Sequence, residues 1–260
     1  MVSYINKLLA ISLLVASVTA HGKVSVATGD QGGNGTALGI MGAVIPGEGR
    51  NRETEVDTTV FDGSNADACG QTDNGDNEVE SGVQQAMALS GDTLPQVSQG
   101  GSLSGTLHIV TSDGAGPYRA FIDSTGTGDN FSEDNELEVT QQVPGDDGEI
   151  RKDDKRFWAR ALQSVGLMKR ASNINEDYTI YLIKQPFNVA IPSDASCTGT
   201  VAGQSNVCMV KLVNPSNAGP FGGCVAVQMA ANSSATATAT TSSNSTTTAT
   251  KTRKFRKHRA

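Results

Sequence analysis

The chain has 260 residues, a net charge of −7, 29 glycines, only 5% aromatic residues and four cysteines. That length suits one sizeable domain, or one domain with a tail. An acidic body argues against nucleic-acid binding, and no second long apolar segment follows the first residues, so a membrane span in the mature protein is not expected.

Lys7 precedes the apolar run LLAISLLVASV (8–18), and Val18 and Ala20 are small residues at the two positions a signal peptidase reads. A short basic region, a short apolar region and a small-residue exit make a secretory signal, too short to span a bilayer. Cleavage after Ala20 makes His21 the mature N-terminus. That residue then carries an α-amine and an imidazole on one carbon, two nitrogens able to chelate one metal ion. The expected organisation is a signal over 1–20, a domain over 21–230 and a tail over 231–260.

Short apolar runs broken by turn residues predict an all-β protein, an immunoglobulin- or fibronectin-like β-sandwich with long loops. Residues 23–46 read as a strand, the glycine-rich loop GDQGGNGTALG and a second apolar strand. The loop has no Gly-Lys-Ser/Thr, which argues against phosphate binding. Residues 48–80 are polar and turn-rich, with Cys69 as an anchor. In SLSGTLHIVT (102–111), Leu103, Leu107 and Ile109 share one face and His108 takes the other. NELEVTQQV and DYTIYLIKQPFNVAIP read as further strands, and NVCMVKLV and GCVAVQM close the domain. One segment departs from this pattern: over 146–170, Phe157, Ala161, Leu162 and Val165 fall at helical spacing, with acidic residues ahead and basic ones behind. It predicts one inserted amphipathic helix. Lys169-Arg170 suits a processing site or a helix C-terminus.

From residue 231 the composition collapses to Ala, Ser, Thr and Asn, which predicts a disordered, O-glycosylated stalk. The end, KTRKFRKHRA, carries six positive charges and suits retention on an anionic polymer. A glycolipid anchor needs an apolar end and is not expected. Asn34, Asn130, Asn232 and Asn244 each begin an Asn-x-Ser/Thr pattern for N-glycans.

Cys69, Cys197, Cys208 and Cys224 form an even set in a secreted chain, so two disulfides are expected, with three pairings open. No close Cys-x-x-Cys pair suggests zinc. Of the three histidines, His258 lies in the tail, leaving His21 and His108 as the pair. The amine and imidazole of His21 with the imidazole of His108 make three nitrogens in a T, a set that favours one copper ion.

The segments GTLHIVTSDGAGPYRAFID, EVTQQVPG and CTGTVAGQSNVCMVKLVNPSNAGPFGGCVAVQ, with the HG start, resemble the fungal appressorium-specific secreted virulence proteins. Plant and insect pathogens make these during host penetration. The resemblance covers most of 21–230; the 150–176 region and the basic tail fit it less well. A more distant similarity is to lytic polysaccharide monooxygenases, copper enzymes that break glycosidic bonds oxidatively. Their order of His, Cys, His, then an aromatic three residues before a Cys falls on His21, Cys69, His108, Phe221 and Cys224. That likeness implies a Cys69–Cys224 bond, leaving Cys197 to bond Cys208, and puts Phe221 on the axial side of the copper. Tyr118 is the competing axial neighbour. Gly219 stands where many such enzymes carry a Gln that positions the oxygen species, so Asp113 or Gln228 are the candidates to replace its hydrogen bond. A flat aromatic platform is not apparent, Trp158 being the sole tryptophan.

Two functions follow from the resemblance, both for a monomer that is secreted and extracellular or wall-associated. One is a copper-dependent monooxygenase acting on a plant, insect or fungal wall polysaccharide. The other is a non-catalytic copper- or glycan-binding wall factor of the same fold. A hydrolase is disfavoured, because no paired-carboxylate or Ser/His/Asp motif stands out.

Overall fold

The computed structural model describes residues 22–41, 56–150 and 184–230. In chain order its strands are β1 (Gly22–Gly29), β2 (Gly32–Gly35), β3 (Thr59–Val60), β4 (Gln71–Thr72), β5 (Gly75–Asp76), β6 (Gln96–Val97) and β7 (Ser102–Ile109). Then come β8 (Arg119–Asp123), β9 (Glu136–Leu137), β10 (Val139–Gln141), β11 (Lys184–Ala190), β12 (Gly199–Val201), β13 (Gln204–Val213) and β14 (Phe221–Met229). Helix α1 (Val79–Ser90) lies between β5 and β6.

The main path of the sheet runs β10-β11-β7-β1-β14-β13-β8-β9. Its two ends, β10 and β9, are separated in sequence by Glu138 alone. The sheet is therefore bent over on itself, and its strands face one another as the two layers of a sandwich. Inside lie Val24 of β1, Leu107 and Ile109 of β7, Phe187 and Val189 of β11, Val210 and Leu212 of β13, Val225 and Val227 of β14, and Leu137 of β9, which form one buried cluster. Strand alternation delivers these side chains to one face, as the sequence pattern predicts. Pairing is antiparallel along the path except between β1 and β14, which run parallel.

The outer face is covered as well. Val207 and Met209 of β13, with Cys224 and Ala226 of β14, pack with Leu38, Leu94 and Val83 of α1 in a second cluster. This explains why β13 and β14 read as nearly continuous apolar runs: central strands are buried on both sides. Cys69 bonds Cys224 in the outer cluster and Cys197 bonds Cys208 in the inner one. These are the two pairs that the resemblance implied.

Three details differ from the sequence reading. The glycine-rich loop is itself partly strand, since Gly32–Gly35 folds back on β1 as a hairpin. Residues 37–41 are not strand, and 42–46 lie outside the described residues. The described helix is α1, which the sequence reading does not anticipate. Of the predicted inserted helix, 151–170 lies outside the described residues, and 146–150 is a turn closed by an Asp146–Glu149 bridge. Residues 231–260 are also outside the described residues, and with them the stalk and basic end. No helix among the described residues is long and apolar enough to cross a membrane.

Lys211 of β13 points into the outer cluster, only 5% exposed. Its ammonium donates to the Ala66 carbonyl and lies 4.4 Å from the centre of the Phe61 ring. Burial lowers its pKa to about 8, against a smaller opposing pull from Asp67. The unfolded chain therefore binds more protons than the folded one between this value and the ordinary lysine value, and stability rises with pH across that window. At neutral pH both states are protonated and the full cost of the buried charge is present. Lys211→Met is expected to raise stability at pH 7 by about 1–2 kcal/mol. The variant should also lack the wild-type gain in alkali. Denaturant unfolding of both proteins at pH 7 and pH 10 checks this; parallel pH dependence would refute it.

Candidate functional site at one end of the sandwich

Several strand ends meet at one edge of the molecule. β1 and β14 start there, β7 and β13 finish there, and Gly22 pairs with Ile109 while Lys23 pairs with both His108 and Gly222. On its other side His108 pairs with Lys184, the first residue of β11. His108 is thus flanked across the sheet by two lysines. Its side chain leaves the sheet on the face opposite Leu107 and Ile109, and it is 0% exposed.

Neither ring nitrogen of His108 has a hydrogen-bond partner among the described residues. Burial, with smaller contributions from Lys23 and Lys184, lowers its pKa to about 4. The imidazole is consequently neutral at physiological pH, with one lone pair free. That is the form in which histidine binds transition metals.

Beside it sits a second unusual group. The Lys23 ammonium lies 3.5 Å from the Asp57 carboxylate, with side chains 1% and 0% exposed. The Nζ of Lys23 and both carboxylate oxygens of Asp57 also lack hydrogen-bond partners among the described residues. Desolvation lowers the lysine pKa, opposed by the charge of Asp57. Asp57 arrives here because β3, two residues later, pairs through Val60 with Phe221 at the start of β14. Sequence reading missed both residues. Lysine at position 23 lies next to the expected N-terminus, but nothing local links it to a carboxylate in the polar stretch before β3.

Asp113, Tyr118 and Phe221 gather at the same end but not all on the same face, and Gln228 does not join them. Asp113 lies in the turn after β7, where Thr111 Oγ1 donates to its carboxylate at 2.6 Å. Asn214 binds this turn to β14: its Nδ2 donates to the carbonyls of Asp113 (2.8 Å) and Ala115 (2.9 Å), and its Oδ1 accepts from the Phe221 N–H (2.8 Å). Phe221 is buried. Tyr118 belongs to the inner cluster, and its hydroxyl donates to the Gly114 carbonyl at 2.8 Å. Gln228 lies at the opposite end of β14, where it donates to the Ser205 carbonyl and accepts from Gln96. The structure therefore removes Gln228 from this site. At Gly219 a Cβ would stand 2.6 Å from the Phe221 ring, so glutamine has no room there as the chain is folded.

His21 is outside the described residues, but its neighbour is informative. A Cβ on Gly22 would stand 2.4 Å from the Tyr118 hydroxyl and 2.5 Å from the Gly114 carbonyl oxygen. Only glycine fits this passage between β1 and the turn. Gly22→Ala is expected to destabilise the fold by about 1–3 kcal/mol. Adding Tyr118→Phe should recover part of that loss, as thermal unfolding would measure; equal stability of Gly22→Ala and wild type would contradict the packing.

Among the described residues no group of three or more His, Cys, Asp or Glu side chains could hold a metal ion. A metal at His108 would need donors from elsewhere in the chain. Asn34 and Asn130 are exposed, whereas Asn232 and Asn244 lie outside the described residues.

A two-layer β-sandwich with two disulfides and a buried, neutral histidine, without a hydrogen-bond partner among the described residues, at the end where its first strand begins defines a small disulfide-bonded β-domain with a polar centre. Two disulfides fit an oxidising, secretory route. The chain belongs to the Egh16-like virulence factor family, which it matches over residues 19–222. It is 36% identical over 233 residues to the appressoria-specific virulence factor GAS1 of Pyricularia oryzae, a match covering 88% of this chain and 80% of that protein. It is also 32% identical over 148 residues to the appressoria-specific virulence factor GAS2 of the same fungus. That match covers 56% of this chain and 42% of the relative.

Proposed function

We propose that this chain is a secreted virulence-associated protein of fungal appressoria that binds one copper ion at the end of its sandwich. The ligands in this reading are the α-amine and imidazole of His21 and the imidazole of His108. The observation that carries it is His108 itself, a buried neutral imidazole whose two nitrogens have no partner among the described residues. Burying such a group unsatisfied costs about 1–3 kcal/mol, which a metal bond would offset. The pairing of Lys23 with His108 supports the reading further, since Lys23 stands two residues after His21 in the sequence. Bound copper would supply one-electron chemistry with oxygen species. The chain's own part is to hold the imidazole neutral, to fix its plane on a central strand and to keep bulk water from it.

The activity this arrangement suits is oxidation of a wall polysaccharide during host penetration. A second reading, a copper-binding wall factor without catalysis, is favoured by the complete burial of His108, which a polymer chain could not touch. Titration with Cu(II) tests the binding. Protein beginning at His21 should bind one equivalent, and protein keeping one extra residue before His21 should lose most of the affinity because the amine leaves the chelate. Equal affinity in the two would reject the reading. Mass spectrometry of wall polysaccharides treated with the loaded protein and a reductant separates the catalytic from the non-catalytic form.

A further inference from the structure

Five buried polar atoms, on residues linked by one strand register and one ion pair, have no hydrogen-bond partner among the described residues: Lys23 Nζ, both carboxylate oxygens of Asp57, and both ring nitrogens of His108. Lys23 and His108 are register partners on adjacent strands, so their side chains leave the same face of the sheet. The ion pair at 3.5 Å is too long to satisfy the ammonium by itself. Buried polar groups in folded proteins are paired with protein or with ordered small molecules, and an unpaired cluster of this size would be costly. The other polar groups expected at this end are engaged or distant: the Asp113 carboxylate accepts from Thr111, and Gln228 is at the far end of β14.

We propose that Lys23, held in place by Asp57, donates a hydrogen bond to a small acceptor, a water or a monovalent anion, seated between it and His108. Lys23 is then a positioning residue. Its ammonium draws the acceptor to the imidazole, while Asp57 balances the charge so that a cation at His108 is tolerated. The acceptor supplies the hydrogen-bond partner that neither side chain has among the described residues. In its metal-loaded form the inference rests on the copper reading above; in its metal-free form it stands alone.

The test uses the mature full chain and the double variant Lys23→Met with Asp57→Leu, which replaces the pair by apolar groups and leaves no lone buried charge. In the metal-free protein, ¹⁵N NMR of the His108 ring should show a hydrogen-bonded nitrogen in the wild type and a free one in the variant. An azide titration that moves the wild-type resonances identifies an anion site, and unmoved resonances identify water. Rings that are free of hydrogen bonds in both proteins would overturn the proposal. In the copper-loaded protein, azide affinity should fall at least tenfold in the variant, with Cu(II) affinity within threefold of wild type. Azide affinity that is unchanged, or that falls only in step with Cu(II) affinity, would make the pair merely structural. If the wild type binds no Cu(II), the copper reading fails and the metal-free measurement alone decides.

Discussion

His108→Leu is expected to abolish tight Cu(II) binding while leaving the metal-free fold as stable as the wild type or more so. The two effects have opposite signs because the same feature causes both. Losing one of the proposed nitrogen ligands should weaken Cu(II) affinity at least a hundredfold, about 2.7 kcal/mol. Losing an imidazole whose nitrogens have no protein partner among the described residues removes its desolvation cost along with its hydrogen bond to a seated acceptor, and leucine fills a similar volume, so a gain of at most about 1–2 kcal/mol is expected in the metal-free protein. Calorimetric titration with Cu(II) and denaturant unfolding in the presence of a chelator measure the two terms separately. A variant that binds copper normally would end the case for His108 as a ligand. A variant whose metal-free form is strongly destabilised would show that the ring has a packing role.

The second large effect concerns the disulfides. Cys69–Cys224 spans 155 residues and Cys197–Cys208 spans 11. If the bonds act chiefly by restricting the unfolded chain, these separations correspond to about 5 and about 3 kcal/mol. Replacing Cys69 and Cys224 by alanine should therefore be the more damaging change. It also has a local consequence that the other pair lacks. The Cys69 bond fastens the segment containing β3 against β14, and that segment brings Asp57 to Lys23. Unfolding curves for the two double variants would show the difference; a greater loss from the Cys197–Cys208 replacement would contradict it.

Much of the sandwich was legible because burial on one face writes itself into the sequence. The alternation of Leu103, Leu107 and Ile109 with His108 predicts both the strand and the side on which the histidine emerges, and both are found. Helix α1 also leaves a trace, since Val79, Val83, Ala86 and Met87 follow helical spacing, with Val83 and Ala86 buried. That trace is short and weakly apolar, and the helical spacing over 146–170 is the stronger signal. The disulfide pairing was open to sequence reading in three ways, and only the more distant likeness to lytic polysaccharide monooxygenases selected one. The Lys23–Asp57 pair had no local signature. It exists because β1 lies parallel to β14 and β14 also accepts β3, a juxtaposition made by topology. Likewise, the separation of Tyr118 from His108 by the thickness of the sheet becomes visible only when the strands are paired.

The bending of the sheet bears on how such a protein survives in solution. Its path ends in β9 and β10, of two and three residues, so the terminal strands themselves are short. Long open edges recruit strands from other molecules and seed aggregates. Here Glu136 is an exposed charge on one of these ends, and the exposed side chains of Thr140 and Gln141 lie on the other. A chain with so many β-branched and apolar strand residues would otherwise be at risk of cross-β association. By stopping both terminal strands after a few residues, the fold gives an incoming strand only a short template on β9 and β10.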